Sequence, residues 1–183
     1  GFKFVPARDG ELVPIGFPAE DMDAEHRSAI ELLPAHVSPD PGDLERFLDL
    51  ANSLSVLAFR QFLESVFSDP EFAWAFVTLP AGRTCHHVFT GGLLKHSLEV
   101  AEGIQAVGNV MSSNRVMEEA AVVTGLLHDV GKVLLSGREA YRIPCLPHEH
   151  GSLIQYALQE SLTSLRRIHR DAHDALWRVI TAY

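Results

Sequence analysis

The sequence predicts an all-α fold, and three features support that prediction. After Pro41, apolar residues recur at helical spacing along most of the chain. No segment shows a good strand alternation, and neither repeats nor low-complexity tracts interrupt the pattern. Residues 1–41 differ, because they hold six of the ten prolines. We therefore divide the chain into an irregular Pro-rich N-terminal extension, residues 1–41, and a helical domain, residues 42–183.

The elements follow in order from local patterns. In the extension, FKFV and ELVPI are weak candidates for a small hairpin. The helical pattern from Pro41 should break near Asn52 and again near Asp69. A shorter helix, PEFAWAFVTL, follows, and Pro70 suits its first turn because that turn needs no N–H donor there. The segment PAGRTCHHVFTGG then reads as a loop.

Further helices follow that loop. LLKHSLEVAEGIQAVGNVM places His96 at the border of a buried face. RVMEEAAVVTGLLHDVGKVLL is too apolar on all sides for a surface helix, so it should cross the core. We expect Gly131 to end it in a left-handed conformation. After the loop YRIPCLPHEH, residues 151–183 form one or two further helices.

Bulk composition excludes some functions. The chain is 46% hydrophobic and 21% charged, and no apolar run approaches the ~18 residues of a membrane span. A net charge of −9 argues against a nucleic-acid-binding surface over the whole protein. RRIHR at 166–170 is the one candidate for a local basic patch, and a solvated helix face is the preferred interpretation. Cys85 and Cys145 do not make a disulfide framework, so we expect a cytoplasmic protein.

A histidine beside an aspartate ends the apolar helix, at His128 and Asp129. Burying an unpaired carboxylate costs several kcal/mol, so Asp129 needs a partner, and a divalent metal is one of few adequate ones. His96 on the preceding helix, with His148 or His150 before the next one, would supply further ligands. This N/O set suits Mn²⁺, Fe²⁺ or Mg²⁺, with Zn²⁺ as an alternative. The competing interpretation is a hydrogen-bonded core network.

Three further candidate site residues, Lys132, His86 and His87, have two interpretations each. A metal here would activate water and hold phosphate oxygens, and Lys132 would then contact the phosphate. Lys132 could instead cap the C-terminus of its helix. His86 and His87 either form a capping loop pair or contact metal, phosphate or nucleic acid.

The motifs HSLEVAEGI, LLHDVGK and HEHGSLI resemble the HD-domain superfamily of metal-dependent phosphohydrolases. The resemblance implies an HD-type helical bundle. It also implies that His96, His128 and Asp129 are metal ligands and that His148, or its rival His150, serves a second metal. HD enzymes normally add a later Asp ligand. The Asp171 and Asp174 candidates lie in a polar segment, so we expect the last ligand beyond Tyr183 and an inactive fragment.

A narrower resemblance covers LPAGRTCHHVFTGGLLKHSLEV and continues to Lys132. It is to the N-terminal domain of MobH-type conjugative relaxases, which are TraI-like and are also described as helicases. That family often has three histidines where this chain has Cys85, His86 and His87, so a role needing all three is not carried over. A similar motif order occurs in HD-type 3′–5′ exoribonucleases.

Three functions are therefore carried forward. The first is a metal-dependent phosphoesterase domain of a larger DNA-processing protein, acting on phosphodiester bonds, with Asp129 and Lys132 at the reaction centre. The second is a small-nucleotide phosphohydrolase without a DNA partner. The third is an inactive HD scaffold that binds other proteins.

Overall fold

The structure is a computed structural model that describes residues 3–6, 12–15, 33, 38–82, 87–111, 114–135 and 150–182. Within these ranges the all-α prediction is confirmed. The exception is one antiparallel hairpin, in which β1 (Lys3–Pro6) pairs with β2 (Leu12–Ile15). The weak hairpin prediction for FKFV and ELVPI is thereby confirmed.

The described part of the chain contains nine helices. They are α1 (Pro41–Ser53), α2 (Leu57–Phe67), α3 (Pro70–Thr78), α4 (Gly92–Met111), α5 (Arg115–Leu127), α6 (Gly131–Leu135), α7 (His150–Ala157), α8 (Gln159–Ile168) and α9 (Arg170–Ala182). The breaks predicted near Asn52 and Asp69 are confirmed. None of the helices described is both long and apolar enough to cross a bilayer.

Short polar residues fix several helix starts. The Asp40 carboxylate accepts a hydrogen bond from the Gly42 amide at 3.0 Å at the start of α1. Asp69 accepts from the first amides of α3, and Pro70 occupies the predicted first-turn position. Asn114 accepts from the Met117 amide at 3.2 Å and starts α5. These caps satisfy amide donors that a helix leaves unpaired at its N-terminus.

The core lies around α4 and α5. Helix α5 contacts both α4 and α9, and its residues 122–127 are all buried, which confirms that it crosses the core. Helices α1 to α3 add an aromatic cluster whose ring centroids lie 5.0 to 6.0 Å apart, formed by Phe47, Phe67, Phe72 and Phe76. Helices α1 and α3 contact α4 and helix α2 contacts α5, so this cluster supports the helix pair whose ends carry the polar side chains described below.

The prediction that Gly131 ends α5 in a left-handed conformation is wrong. Helix α5 ends at Leu127, a turn covers 128–130, and Gly131 begins α6 without a positive φ. A Cβ at Gly131 would lie 2.7 Å from the Cβ of Leu153 on α7. Glycine is needed here because α6 and α7 pack closely, rather than because of its backbone freedom.

Candidate metal centre

The end of α5 and the start of α4 bring three predicted site residues together. His96 lies in the second turn of α4, and His128 directly follows the last residue of α5. Asp129 lies in the turn between α5 and α6, where the Lys132 amide donates to its carbonyl at 3.0 Å. The turn directs the Asp129 side chain back toward the two imidazoles.

The donor atoms of these three residues converge. The Nε2 atoms of His96 and His128 are 3.2 Å apart. Oδ2 of Asp129 lies 3.5 Å from Nε2 of His96 and 3.4 Å from Nε2 of His128. His128 is buried, Asp129 is 11% exposed and His96 is 29% exposed. The cluster therefore opens to solvent on the His96 side.

A backbone carbonyl orients the His128 ring. Nδ1 of His128 lies 2.8 Å from the carbonyl oxygen of Gly125. Since a carbonyl only accepts, Nδ1 must carry a hydrogen, and Nε2 is the nitrogen that can lose its proton. This arrangement, with the second ring nitrogen held by a backbone carbonyl, is usual for metal-binding histidines.

Charge at the centre is concentrated on Asp129. Burial raises the pKa of Asp129, but hydrogen bonds from His128 and Lys132 outweigh it and lower the pKa to about 2. The Lys132 ammonium contacts Oδ2, the oxygen that faces both histidines. Asp129 is therefore an anion at any physiological pH, as a metal ligand must be.

The two histidines respond oppositely to this environment. Burial and the neighbouring His128 lower the pKa of His96. Burial also lowers the pKa of His128, but its hydrogen bonds to Asp129 and to the Gly125 carbonyl prevail and raise it. These opposite shifts favour the neutral form of His96 and the protonated form of His128.

A second group of donors adjoins the first and shares His96. Nε2 of His87 is 3.0 Å from Oε2 of Glu99, and the His87 and His96 ring centroids are 5.3 Å apart. The donor atoms of His87, His96 and Glu99 all lie within 4.8 Å of one another. His87 was a predicted additional site residue, whereas Glu99 was missed. The available signal was its spacing, three residues after His96 on the same helix face.

The loop before α4 holds His87 in an unusual backbone conformation. His87 has a φ of 53°, and its buried Nδ1 has no hydrogen-bond partner among the described residues. Its carbonyl lies so close to Gly92 that a Cβ there would be 2.0 Å from the oxygen. Gly91, with a φ of 84°, completes the turn. Gly91 thus supplies the positive φ of the turn, and Gly92 allows the close approach of the backbone.

The remaining predicted residues divide into two sets. His86 and His148 lie outside the described residues, and His150 begins α7 while its side chain is outside them. Their roles therefore stay predictions. On α9, Asp171 is exposed and the Asp174 side chain is 49% exposed, in line with the expected polar segment. Lys132 is the second residue of α6 and pairs with Asp129 instead of capping the C-terminus of α5.

Comparison with known proteins gives one family. The TraI_2 family, described as "Putative helicase", matches residues 43–175. Neither curated proteins nor solved structures show a match. The matched segment covers α1 to α8 and part of α9, and it contains both donor groups. Because most of the chain lies within the match, the chain belongs to the TraI_2 family.

Proposed function

We propose that this chain is an HD-type, metal-dependent phosphoesterase domain of a larger DNA-processing protein of conjugative transfer. The observation that carries the proposal is the convergence of His96, His128 and Asp129, whose donor atoms are separated by 3.2 to 3.5 Å. The family description as a helicase supports DNA as the substrate.

The donor separations fit one divalent ion. Ligand atoms bound at about 2.1 Å with angles between 90° and 109° lie roughly 3.0 to 3.5 Å apart. The set contains nitrogen and oxygen donors and no thiolate, which favours Mn²⁺, Fe²⁺ or Mg²⁺, with Zn²⁺ as the alternative. When bound, such an ion would lower the pKa of a water molecule and neutralise charge on a phosphodiester.

The chain's own residues would hold and orient these groups. Asp129 would supply the anionic ligand, and the Gly125 carbonyl, by accepting from Nδ1, would keep Nε2 of His128 directed at the centre, where it binds the ion after losing its proton. Oδ2 of Asp129, which Lys132 contacts in the structure, would instead be a ligand of the bound cation. Lys132, which is 28% exposed, would then turn to a phosphate oxygen.

A second ion would use the adjoining donors. His87 and Glu99 with the shared His96 provide another mixed N/O group, and His148 or His150 is the further predicted ligand. His86 stays an additional candidate next to His87. Two ions side by side are common in enzymes that cleave phosphodiesters, because one can serve the attacking and one the leaving oxygen.

The test measures metal content and strand cleavage on the intact protein. Asp129→Ala should lose bound Mn²⁺ and cleavage of a single DNA strand, since it removes the anionic ligand. The matched control is Asp171→Ala, which deletes an exposed carboxylate on α9. Equal metal content and equal cleavage in the wild type and Asp129→Ala would refute the proposal.

One observation favours a second candidate, a phosphohydrolase that acts on small nucleotides. The net charge of −9 disfavours a long polyanionic substrate. Hydrolysis of a nucleotide panel with Mn²⁺, without DNA binding at low salt, would support this candidate. If anomalous scattering shows no metal at His128 in the intact protein, the domain is instead an inactive scaffold.

A further inference from the structure

A groove separate from the donor groups lies on α7, α8 and α9. We call it the C-terminal groove; its volume is about 670 Å³. The residues that matter for its chemistry are Tyr156, Thr163, Arg166, His173, Asp174 and Trp177. No residue of the two donor groups lines it.

Aromatic faces are open to solvent in this groove. Tyr156 is 61% exposed and Trp177 is 38% exposed, although large aromatic side chains usually bury most of their surface. The His173 ring lies nearly parallel to the Trp177 indole, with an interplanar angle of 11° and ring centroids 6.1 Å apart. Exposed aromatic faces are the usual platforms on which unpaired nucleobases stack.

Cationic side chains accompany these faces. Arg166 lines the groove, and Arg167 and Arg170 are exposed beside it at the junction of α8 and α9. The carboxylate in the groove, Asp174, is already engaged by His173 at 2.9 Å and by Arg170 at 3.9 Å. This junction brings three arginines together, and the same two helices also carry the carboxylates of Glu160, Asp171 and Asp174. A solvated helix face would not need aromatic neighbours.

We propose that the C-terminal groove binds a single strand of DNA. Bases stack on Tyr156 and Trp177, and Arg166 with its neighbours Arg167 and Arg170 contacts the phosphates. A duplex fits poorly because its bases are already stacked within the helix. The choice of DNA rests on the proposed function, whereas the groove itself needs no metal.

The experiment measures fluorescence anisotropy of a labelled single-stranded DNA 12-mer in EDTA at low salt. Trp177→Ala and Tyr156→Ala should each weaken binding at least about fivefold, the effect of losing one stacked base. Trp177→Phe keeps an aromatic face and should bind nearly as the wild type does. Arg166→Gln should weaken binding and reduce its salt dependence. Arg178→Gln is the matched control, an exposed arginine on α9 that does not line the groove.

Direct stacking can be observed through tryptophan emission. The chain has two tryptophans, so a Trp74→Phe protein reports on Trp177 alone. Addition of the 12-mer should quench that emission, and a closed duplex of the same sequence should not. If Trp177→Ala unfolds the protein, Tyr156→Ala decides, because the Tyr156 side chain is mostly in solvent.

Several results would overturn the inference. One is unchanged DNA binding in both alanine variants, and another is an equal loss of affinity in Arg166→Gln and Arg178→Gln. The others are a duplex that competes for the protein as well as the single strand does, and single-stranded RNA that binds more tightly than the DNA 12-mer. Asp129→Ala should bind the 12-mer as the wild type does, and the groove variants should keep their Mn²⁺. A failure of the groove inference is therefore distinguishable from a failure of the metal proposal.

Discussion

A buried carboxylate on α5 allows a quantitative prediction. Glu119 is 3% exposed, and its oxygens accept hydrogen bonds from the Ser55 amide at 2.8 Å, the Ser55 hydroxyl at 2.6 Å and the Val56 amide at 2.8 Å. Arg115 lies 2.8 Å away through its Nε. Val56 precedes α2 and offers no side-chain cap of its own, so Glu119 caps α2 from another helix. This contact ties α2 to the helix that ends at the donor cluster.

The perturbation is Glu119→Gln, which keeps the shape and removes the charge. The amide oxygen of glutamine can keep the Ser55 contacts, but its NH₂ group then faces the Val56 N–H, donor to donor. A buried amide left without an acceptor costs about 1–3 kcal/mol, and the remaining bonds lose their charge assistance. We therefore expect the free energy of unfolding to fall by about 2–4 kcal/mol.

Glu118→Gln is the matched control for this measurement. It makes the same charge change one residue earlier, where the carboxylate's polar contact within the described part of the chain is a 3.5 Å ion pair with Arg115. Such a pair contributes at most about 1 kcal/mol. Urea denaturation in EDTA gives both values from the shift in midpoint at constant slope. A Glu119→Gln loss within 0.5 kcal/mol (about the measurement error) of the control would refute the capping argument.

The pH dependence of stability should reveal the same contact between Glu119 and the start of α2. Burial raises the pKa of Glu119. Hydrogen bonds from Ser55 and Val56 and the charge of Arg115 lower this pKa by more than burial raises it, so the net shift is downward. A carboxyl with a lowered folded pKa stabilises above its unfolded pKa, and that stabilisation is lost as pH falls through the folded pKa. The stability difference between wild type and Glu119→Gln should therefore shrink below about pH 4.

Three further outcomes are expected. The Asp129 pKa of about 2 lies below its unfolded value, so the stabilisation that this carboxylate provides is lost as pH falls from about 4 toward 2. Urea denaturation in EDTA should therefore show that the wild type loses about 1 kcal/mol relative to Asp129→Asn between pH 6 and pH 3. Parallel pH profiles of the two proteins would contradict this. Gly92→Ala should lower the thermal midpoint because its Cβ would meet the His87 carbonyl, whereas Gly103→Ala, with nothing within 4 Å, should not; equal midpoints would contradict this. Phe76→Ala should cost about 3–5 kcal/mol in chemical denaturation through the cavity it leaves, and a loss below 1 kcal/mol, roughly that of a surface change, would contradict it.

Local patterns were sufficient for several helix starts, but not for the C-terminal region, where the structure has three helices, α7, α8 and α9, instead of the predicted one or two. Asp40 and Asp69 precede prolines, and this combination marks a helix start because the carboxylate accepts a free amide while proline lacks one. The apolar run in α5 likewise required burial on all sides, which the structure shows. These features depend on neighbours within one turn of the chain, so the sequence contains all the information that they need.

Features that depend on distant partners were not predictable in the same way. The cap of Glu119 on α2 joins residues 64 positions apart, and in the sequence Glu119 is one of two adjacent acidic residues in a helix. Gly131 was misinterpreted for the same reason, because its constraint comes from Leu153. The three donor residues could be named from motif and spacing. Their relative orientation required the packing of α4 against α5, and their metal role stays a prediction.

That packing depends on one glycine, which links the fold to the chemistry. A Cβ at Gly125 would lie 3.1 Å from the Cα of Ala101 and 2.7 Å from the end of Ile104, so a larger residue would push α4 away from α5. The separation of those helices sets the 3.2 Å between the Nε2 atoms of His96 and His128. The carbonyl of the same glycine fixes the His128 tautomer. A single buried backbone position therefore influences both the distance between the donors and the nitrogen of His128 that faces them.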